Sequence, residues 1–314
     1  MAKVLTDVRH FVEERKIIND GDRVLIAVSG GPDSVFLFYF FQYLKKFYDI
    51  QFSVAYIHHH LRKEADEELK FVENLVKKYK VPFYSKDIWI KGKTGIEEKA
   101  REARYKALYS TAKKYACNKI AVGHTLDDNV ETIIMRFVKG TGIAGLSGIS
   151  PEKNLFLRSK IIVIRPLLCI EKQEIIKFLK EKGIEYRIDE TNLSTDFFRN
   201  RVRLEIIPFL LKYNPQFKKK LAQMSFLLQD DFSFLFRQGY ETLKKIVKGD
   251  ILDMVEYRKL DISLKRIVAG ILIEKITGDP YRSYNKIKQL VAYLTRYPGK
   301  KLKMTKIKDV VRSR

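Results

Sequence analysis

Two short stretches hold residues whose types and spacing could do chemistry. The first is Ser29-Gly30-Gly31-Pro32-Asp33-Ser34. Glycines let the backbone come close to a ligand, and a helix starting at Pro32 would present unpaired N–H groups and its positive dipole end. Two hydroxyls add donors, and Asp33 can hold a metal that bridges phosphates. All six residues together point to an anion site rather than a plain strand-to-helix turn. No Gly-Lys-Ser/Thr closes the stretch, so it is not a Walker loop. The second is His124-Thr125-Leu126-Asp127-Asp128-Asn129-Val130-Glu131-Thr132. Asp127 and Glu131 lie four apart at a helix start, as do Asp128 and Thr132, so each pair shares a face. Carboxylates placed there suit Mg²⁺, a substrate ammonium or proton transfer. Capping of the first turn accounts for one acid but not for the set. His124 would orient a nucleotide or serve as a structural histidine at a strand end.

Weaker groups accompany them. His58, His59 and His60 are adjacent, and alternate side chains point apart, which argues against a metal cluster. Arg101 and Arg104, three apart, share a helical face that could meet phosphates or a carboxylate, or lie with Glu98 and Glu102 in solvent.

These residues fall at the ends of short apolar runs. RVLIAVS at 23–29, QFSVAYI at 51–57, a segment near VPFYSKDI and NKIAVGH read as buried strands. Helices are expected over about 63–79, 96–115 and 126–139, with a long apolar one after Pro32. Alternation of this kind means βαβ units and a twisted parallel sheet with helices on both faces. Ligands of such sheets bind at the carboxyl ends of the strands, where Ser29, His58 and His124 fall. GTGIAGLSGIS at 140–150, with four glycines, reads as a mobile loop or hinge, and IIVIRPLL as a further strand. A helix near 200–211 stops at Tyr213-Asn214-Pro215, which sets the expected domains at 1–214 and 215–314. The second domain reads as about thirty helical residues, then shorter mixed segments and a basic tail.

Bulk properties narrow the partners. A chain of 314 residues has room for two domains at ~150 residues each. No apolar run reaches the ~20 residues of a membrane span, and the start lacks a signal-peptide pattern. Cys117 and Cys169 form no CxxC pair, so a reducing cytoplasm fits. The net charge of +23 favours a polyanion, nucleic acid ahead of an acidic membrane. A heat-adapted surface would explain many charges but not 61 basic against 38 acidic residues. From Arg282 onward eleven basic residues face one acid, Asp309, with Tyr281, Tyr284, Tyr293 and Tyr297 at hand for base stacking.

The 29–34 stretch resembles the SGGxDS signature of the N-type ATP pyrophosphatases, the PP-loop enzymes with an adenine nucleotide alpha hydrolase-like fold. Further segments resemble those of the tRNA(Ile)-lysidine synthetases within that group. His58-His59-His60-Leu61-Arg62 is similar to their HxLR segment, Ala100 to Tyr105 to ARxxRY, and His124 to Thr132 to HxxDDxxET. Lys139 to Ile149 resembles RGTGxxGLxGI with Lys139 for Arg, and Arg165-Pro166-Leu167-Leu168 matches RPLL. Asp189, Asn192 and Asp196, then Arg199-Asn200-Arg201-x-Arg203 and Pro208, resemble DxSN…RNxIR…P, with Thr191 where Ser is usual. The resemblance covers about residues 20–210.

It implies ATP and Mg²⁺ as cofactors, and L-lysine and the CAU-anticodon tRNA(Ile) as partners. Lysine would join the 2-oxo position of the wobble cytidine through an adenylated intermediate, releasing AMP and pyrophosphate and moving decoding from AUG to AUA. Ser29 to Ser34 and His58 are expected to bind ATP, with Asp33 on the metal. Asp127 or Glu131 would take the lysine amine, and Arg104 or Arg203 a phosphate or the lysine carboxylate. Asp128 and His124 complete the catalytic set, and Arg101, Arg199, Asn200, Arg201 and Arg203 are candidates for substrate or tRNA. A 2-thiocytidine-type tRNA thiolase is the rival, disfavoured by the missing CxxC pair. A non-catalytic RNA-binding protein is disfavoured by the intact loop. No membrane is expected, and a homodimer is compatible with the sequence.

Overall fold

The computed structural model describes residues 3–60, 65–89, 96–154, 159–187, 198–278 and 284–312. The chain divides into two compact units, Met1–Glu131 with Ile149–Lys219, and Thr132–Gly148 with Lys220–Arg314. The elements in chain order begin with α1 (Lys3–Glu14), β1 (Arg23–Ala27), α2 (Pro32–Leu44), β2 (Gln51–His58) and α3 (Ala65–Lys78). There follow β3 (Phe83–Asp87), α4 (Ile96–Lys114), β4 (Lys119–Ala121), α5 (Leu126–Val138), α6 (Ile143–Leu146), β5 (Glu152–Asn154) and β6 (Ile162–Ile164). After a 3-10 turn at Pro166–Cys169 come α7 (Lys172–Glu181), α8 (Phe198–Arg201) and α9 (Ile207–Tyr213).

The sheet of the first unit runs β3-β2-β1-β4-β6-β5. Its first five strands are parallel, as the alternation predicts, while β5 returns antiparallel on β6 at the edge. The connection from β5 to β6 is too short for a crossover helix, so only a reversed pairing is open to it. RPLL does not extend β6 but tightens into the 3-10 turn.

The pleat sorts the side chains. Leu25, Ala55, Ile120 and Val122 face α4, where Tyr105 and Leu108 meet them. On the other face Phe38 and Phe41 of α2 pack edge-on against Phe52. Helix α2 is apolar all round and buried along nearly its whole length, which fixes the helix that opens with the phosphate loop. At the amino ends of β1 and β4, Lys119 Nζ is buried against Asp22 Oδ2 at 2.8 Å and the Ile17 carbonyl at 2.6 Å. Asp22 also accepts from Asn118 at 2.7 Å and from the Asn19 N–H at 2.8 Å.

The second unit has its own core. It continues through α10 (Phe217–Ile246), β7 (Val247–Lys248), β8 (Ile251–Asp253), α11 (Met254–Lys259) and α12 (Ile262–Thr277). Helix α13 (Tyr284–Arg296), β9 (Lys301–Lys303) and α14 (Met304–Arg312) close it. The thirty-residue α10 matches the expected helical run, and a small antiparallel sheet β7-β8-β9 accompanies the helices. Leu272, Leu290, Leu294 and Leu302 are among its core residues. Tyr293 and Tyr297 pack against that core instead of standing free for stacking, whereas Tyr284 is 69% exposed. Tyr281 lies outside the described residues, as do Leu61, Arg62 and the Asp189 to Asp196 motif.

Two further expectations change. The turn at 213–215 ends α9, but the units part a few residues later, because Lys218 and Lys219 at the head of α10 ion-pair with Asp127 and Glu171. The glycine-rich stretch, within which the chain passes from the second unit back to the first, is ordered in part. It folds into α6, and Arg136 donates to the carbonyls of Gly145 and Gly148 at 3.1 and 2.7 Å. No helix among the described residues is long and apolar enough to cross a membrane.

Replacing Lys119 by Met leaves Asp22 buried without its cation. Urea unfolding should show a loss of about 3 kcal/mol or more, whereas a loss under ~1 kcal/mol would mean Asp22 is satisfied by its amides alone.

Candidate functional site

Chain order reverses between β1 and β4, so their carboxyl ends open a crevice. A cavity of about 360 Å³ sits there. Ser29, Gly31, Asp33 and Ser34 line it from the loop after β1, and His124, Asp128, Arg104 and Arg199 from beyond.

The loop is held by its own hydroxyls. Ser34 Oγ donates to the Gly31 carbonyl at 2.9 Å and accepts from the Ser29 N–H at 3.1 Å, with Ser29 Oγ 3.3 Å away. Gly30 takes a φ of +87°, a region that side chains rarely adopt. Its carbonyl accepts from the Arg187 N–H at 2.9 Å. Gly31 caps α2 in an extended conformation and Pro32 begins the helix. Gly123, just before His124, is a member the sequence reading missed. A Cβ there would stand 3.2 Å from the backbone carbon and oxygen of Asp33, so the two loops touch through backbone.

Asp33 is the exception to the pairing around it. Its Oδ2 lies 3.5 Å from Lys172 Nζ, and its Oδ1 is buried with no hydrogen-bond partner among the described residues. Burial pushes its carboxyl up to about 6, Asp128 and Asp127 adding to the rise and Lys172 opposing it. A carboxylate oxygen buried without a partner beside a phosphate loop suits a divalent cation such as Mg²⁺, which Asp33 would hold.

The acids of α5 are more committed. Asp128 Oδ2 accepts from the N–H and hydroxyl of Thr125 at 2.8 and 3.1 Å, the capping bond of the first turn. Its Oδ1 accepts from Arg199 Nη2 at 2.6 Å. Glu131, 1% exposed, accepts from Arg199 Nε and Arg203 Nε, both at 2.6 Å. A π-helical turn at Val202–Ile206 follows Arg199, and Pro208, which lacks an N–H, sits just beyond it. Asp127 lies outside the cavity lining. It accepts from the Lys172 N–H at 2.7 Å and from Lys218 Nζ at 2.8 Å, and Lys218, 13% exposed, also reaches Glu171 at 3.2 Å.

Other expected members are scattered. His59, not His58, faces the cavity. His58 is buried and donates from Nε2 to Asp66 at 3.1 Å, while Nδ1 accepts from the His60 N–H at 3.3 Å. His60 has a left-handed φ of +50° and pairs with Asp87 at 2.7 Å. Its ring stacks on Trp89 with centroids 4.0 Å apart. Potential ligand atoms of His58, His60 and Asp87 fall within 4.8 Å of one another, closer than alternation alone suggests. Arg101 lines a neighbouring cavity rather than this one, and Arg201 turns to Glu205 at 3.7 Å. Asn200 precedes Arg201 on α8, outside the cavity lining. His124 is half-buried, and loss of solvent around the ring, with Arg165, Arg104, Arg101 and Arg199 near it, lowers its pKa well below the ordinary value and favours the neutral ring. Lys172, Glu171 and Lys218 were missed because no local spacing ties them to residues 33 or 127. A larger groove of about 930 Å³ along α3, by Phe71 and Arg187, collects none of these groups.

The model for the PP-loop domain family matches residues 2–210. The chain is 37% identical over 299 residues to a tRNA(Ile)-lysidine synthase of Persephonella marina, across 92% of this chain and 63% of that protein. It is 35% identical over 246 residues to one of Petrotoga mobilis, across 76% of this chain and 77% of the relative. It spans 60% of the length of a similarly named Dehalococcoides mccartyi relative, at 33% identity across 86% of this chain. The chain thus spans less than two thirds of the length of the Persephonella and Dehalococcoides relatives. A U34-tRNA thiolase of Methanococcus maripaludis, solved with its 4Fe–4S cluster, shares the fold at a TM-score of 0.60 and 19% identity, over 72% of this chain and 78% of its own.

The raised Asp33 fixes the sign of a stability change. The unfolded carboxyl ionises near ~3.9 and the folded one at about 6, so wild-type stability falls as pH rises through that window. Asp33→Asn in metal-free buffer should gain about 1–2 kcal/mol near neutrality, discounted for partial solvent contact, and nothing below about pH 4. A pH-independent difference in urea midpoints would refute the assignment.

Proposed function

The chain belongs to the PP-loop family and, within it, to the tRNA(Ile)-lysidine synthases, and from that premise we propose that it ligates lysine to the wobble cytidine of the CAU-anticodon tRNA(Ile). The observation that carries this reading is the meeting, in one cavity, of the phosphate loop, the unpartnered Asp33 oxygen and the cationic pair Arg104 and Arg199. ATP is a substrate: cytosine O2 attacks its α-phosphate, pyrophosphate leaves, and the lysine ε-amine then displaces AMP at C2 with loss of a proton.

Each residue is assigned by its surroundings. The loop backbone and the hydroxyls of Ser29 and Ser34 receive the departing pyrophosphate. Asp33 would hold Mg²⁺, which would supply neutralising charge to the phosphates. Arg104 and Arg199 face the same cavity and stabilise negative charge at the α-phosphate. His124, neutral, orients the nucleotide by hydrogen bonding rather than by charge. Glu131 is taken up by two guanidiniums and acts as a positioning residue. That assigns the substrate amine to Asp127, which already holds an ε-ammonium, that of Lys218. At a reference pKa of ~10.4 the incoming amine is mostly protonated near neutrality, so a carboxylate must both bind it and help remove its proton. The basic residues 215–314 form the tRNA-binding part, and the enzyme works in the cytoplasm.

Labelled lysine with ATP should enter a CAU-anticodon tRNA(Ile) transcript and not a tRNA(Met) transcript. Asp33→Ala should cut tRNA-dependent AMP release by about a hundredfold or more. AMP release without lysine transfer would keep the adenylating reaction and reject lysine as the second substrate. Binding of tRNA should weaken with salt at a log–log slope of about −0.7 to −0.9 per phosphate contacted, and a flat response would remove residues 215–314 from the tRNA site.

A further inference from the structure

The carboxyl ends of β2 and β3 bring together a group of side chains that the phosphate-loop cavity does not use. His58 closes β2, Asp87 closes β3, and the two are partners in the parallel register. His60 follows two residues on. In an extended strand, residues two apart on one face stand about 7 Å from each other. A left-handed φ of +50° at His60 breaks that spacing and folds its ring back, with its centroid 3.9 Å from that of His58. A residue with a Cβ is strained there, and strain of this kind marks a side chain held in place for a purpose.

The result is a set of ligand atoms at close quarters. His60 Nε2 lies 2.7 Å from Asp87 Oδ1, and a ring nitrogen of His58 is within 4.8 Å of both residues' ligand atoms. Ligands around a tetrahedral Zn²⁺ at ~2.0–2.1 Å stand about 3.3 Å from one another. A small shift of the more exposed His60 and Asp87 toward the buried His58 completes the set. His58 is also prepared for such a role. Its Nε2 donates to Asp66 Oδ1 at 3.1 Å, which leaves the lone pair on Nδ1. That lone pair meets only the His60 N–H, in a long contact of 3.3 Å. A carboxylate behind the far nitrogen fixes the tautomer of metal-bound histidines and raises their basicity. Two imidazoles and one carboxylate suit a borderline ion such as Zn²⁺ rather than Mg²⁺, which takes oxygen ligands.

We propose that His58, His60 and Asp87 form a site for a divalent transition metal of the Zn²⁺ class, with Asp66 as its positioning residue, and that the ion pins the carboxyl ends of β2 and β3 together. When the metal binds, the His60 proton that faces Asp87 moves to Nδ1, and water takes the fourth position. None of the three ligands lines the phosphate-loop cavity, which takes His59 from between them. The site is therefore separate from Asp33 and does not depend on the lysine-transfer reading.

The test uses the full chain in excess Mg²⁺, which fills oxygen sites such as Asp33 and leaves imidazoles free. Zn²⁺ is titrated by calorimetry into wild type, His60→Gly, Asp87→Asn and Asp66→Ala. His60→Gly relieves the left-handed backbone while it removes a ligand, so the fold is not at risk. Wild type should bind one Zn²⁺ per chain with a Kd of about 1 μM or tighter. His60→Gly should weaken binding by about a hundredfold, and Asp87→Asn and Asp66→Ala by about tenfold. Co²⁺ in place of Zn²⁺ should show the intense visible bands of a four-coordinate ion in wild type and none in His60→Gly. Asp66→Ala should keep those bands at saturating Co²⁺, as a residue that acts through His58 must. Zn²⁺ should raise the urea midpoint of wild type but not of His60→Gly. Equal Zn²⁺ affinity in wild type and His60→Gly would put the ion elsewhere and overturn the proposal. So would a wild-type Kd weaker than about 100 μM, or the faint bands of six-coordinate Co²⁺.

Discussion

Five carboxylates, Asp33, Asp127, Asp128, Glu131 and Glu171, share one corner of the first unit, and their mutual repulsion governs how that corner is built. Four of them are met by internal cations or amides: Asp127 and Glu171 by Lys218, Asp128 by Arg199, Glu131 by Arg199 and Arg203. These cations come from α8 to α10, so the chain's later segments return to complete the charge balance of the earlier ones. Of these five, Asp33 keeps a buried oxygen without a partner among the described residues, and burial, with Asp128 and Asp127 nearby, raises its pKa. The carboxylate that pairs through one oxygen only, with Lys172, is the one in the phosphate loop, where a ligand brings its own cation.

Backbone contact sets the spacing of this arrangement. Gly123 touches Asp33 through main chain, so the loops after β1 and β4 approach so closely that an added side chain would have to push them apart. The buried Lys119–Asp22 pair ties the same two strands at their other end. Between these clamps the parallel register leaves the carboxyl ends little freedom, and the loops inherit that rigidity.

What the sequence made legible was local. Six consecutive residues specify the phosphate loop, and apolar runs of strand length between helical periods specify the parallel sheet. The capping acid Asp128 was visible because its partner, Thr125, is three residues away. Lys172 and Lys218 were not, since each meets its acid across a separation that no spacing rule reaches. Alternation separated His59 from His58 and His60 but could not tell which parity faces the cavity. Four glycines suggested looseness at 140–150, yet one arginine, Arg136, ties the stretch down by its carbonyls. The tyrosines of the basic tail were read for their chemistry alone, and two of them answer first to packing.

The stack of His60 on Trp89 gives the protein an optical property. Trp89 is the chain's one tryptophan and is 72% exposed, its ring parallel to an imidazole that hydrogen-bonds Asp87. All indole emission therefore arises at one place, just past the end of β3, in contact with an imidazole ring. Intrinsic fluorescence, which in most proteins averages over many environments, reports here on the sheet's outer rim alone.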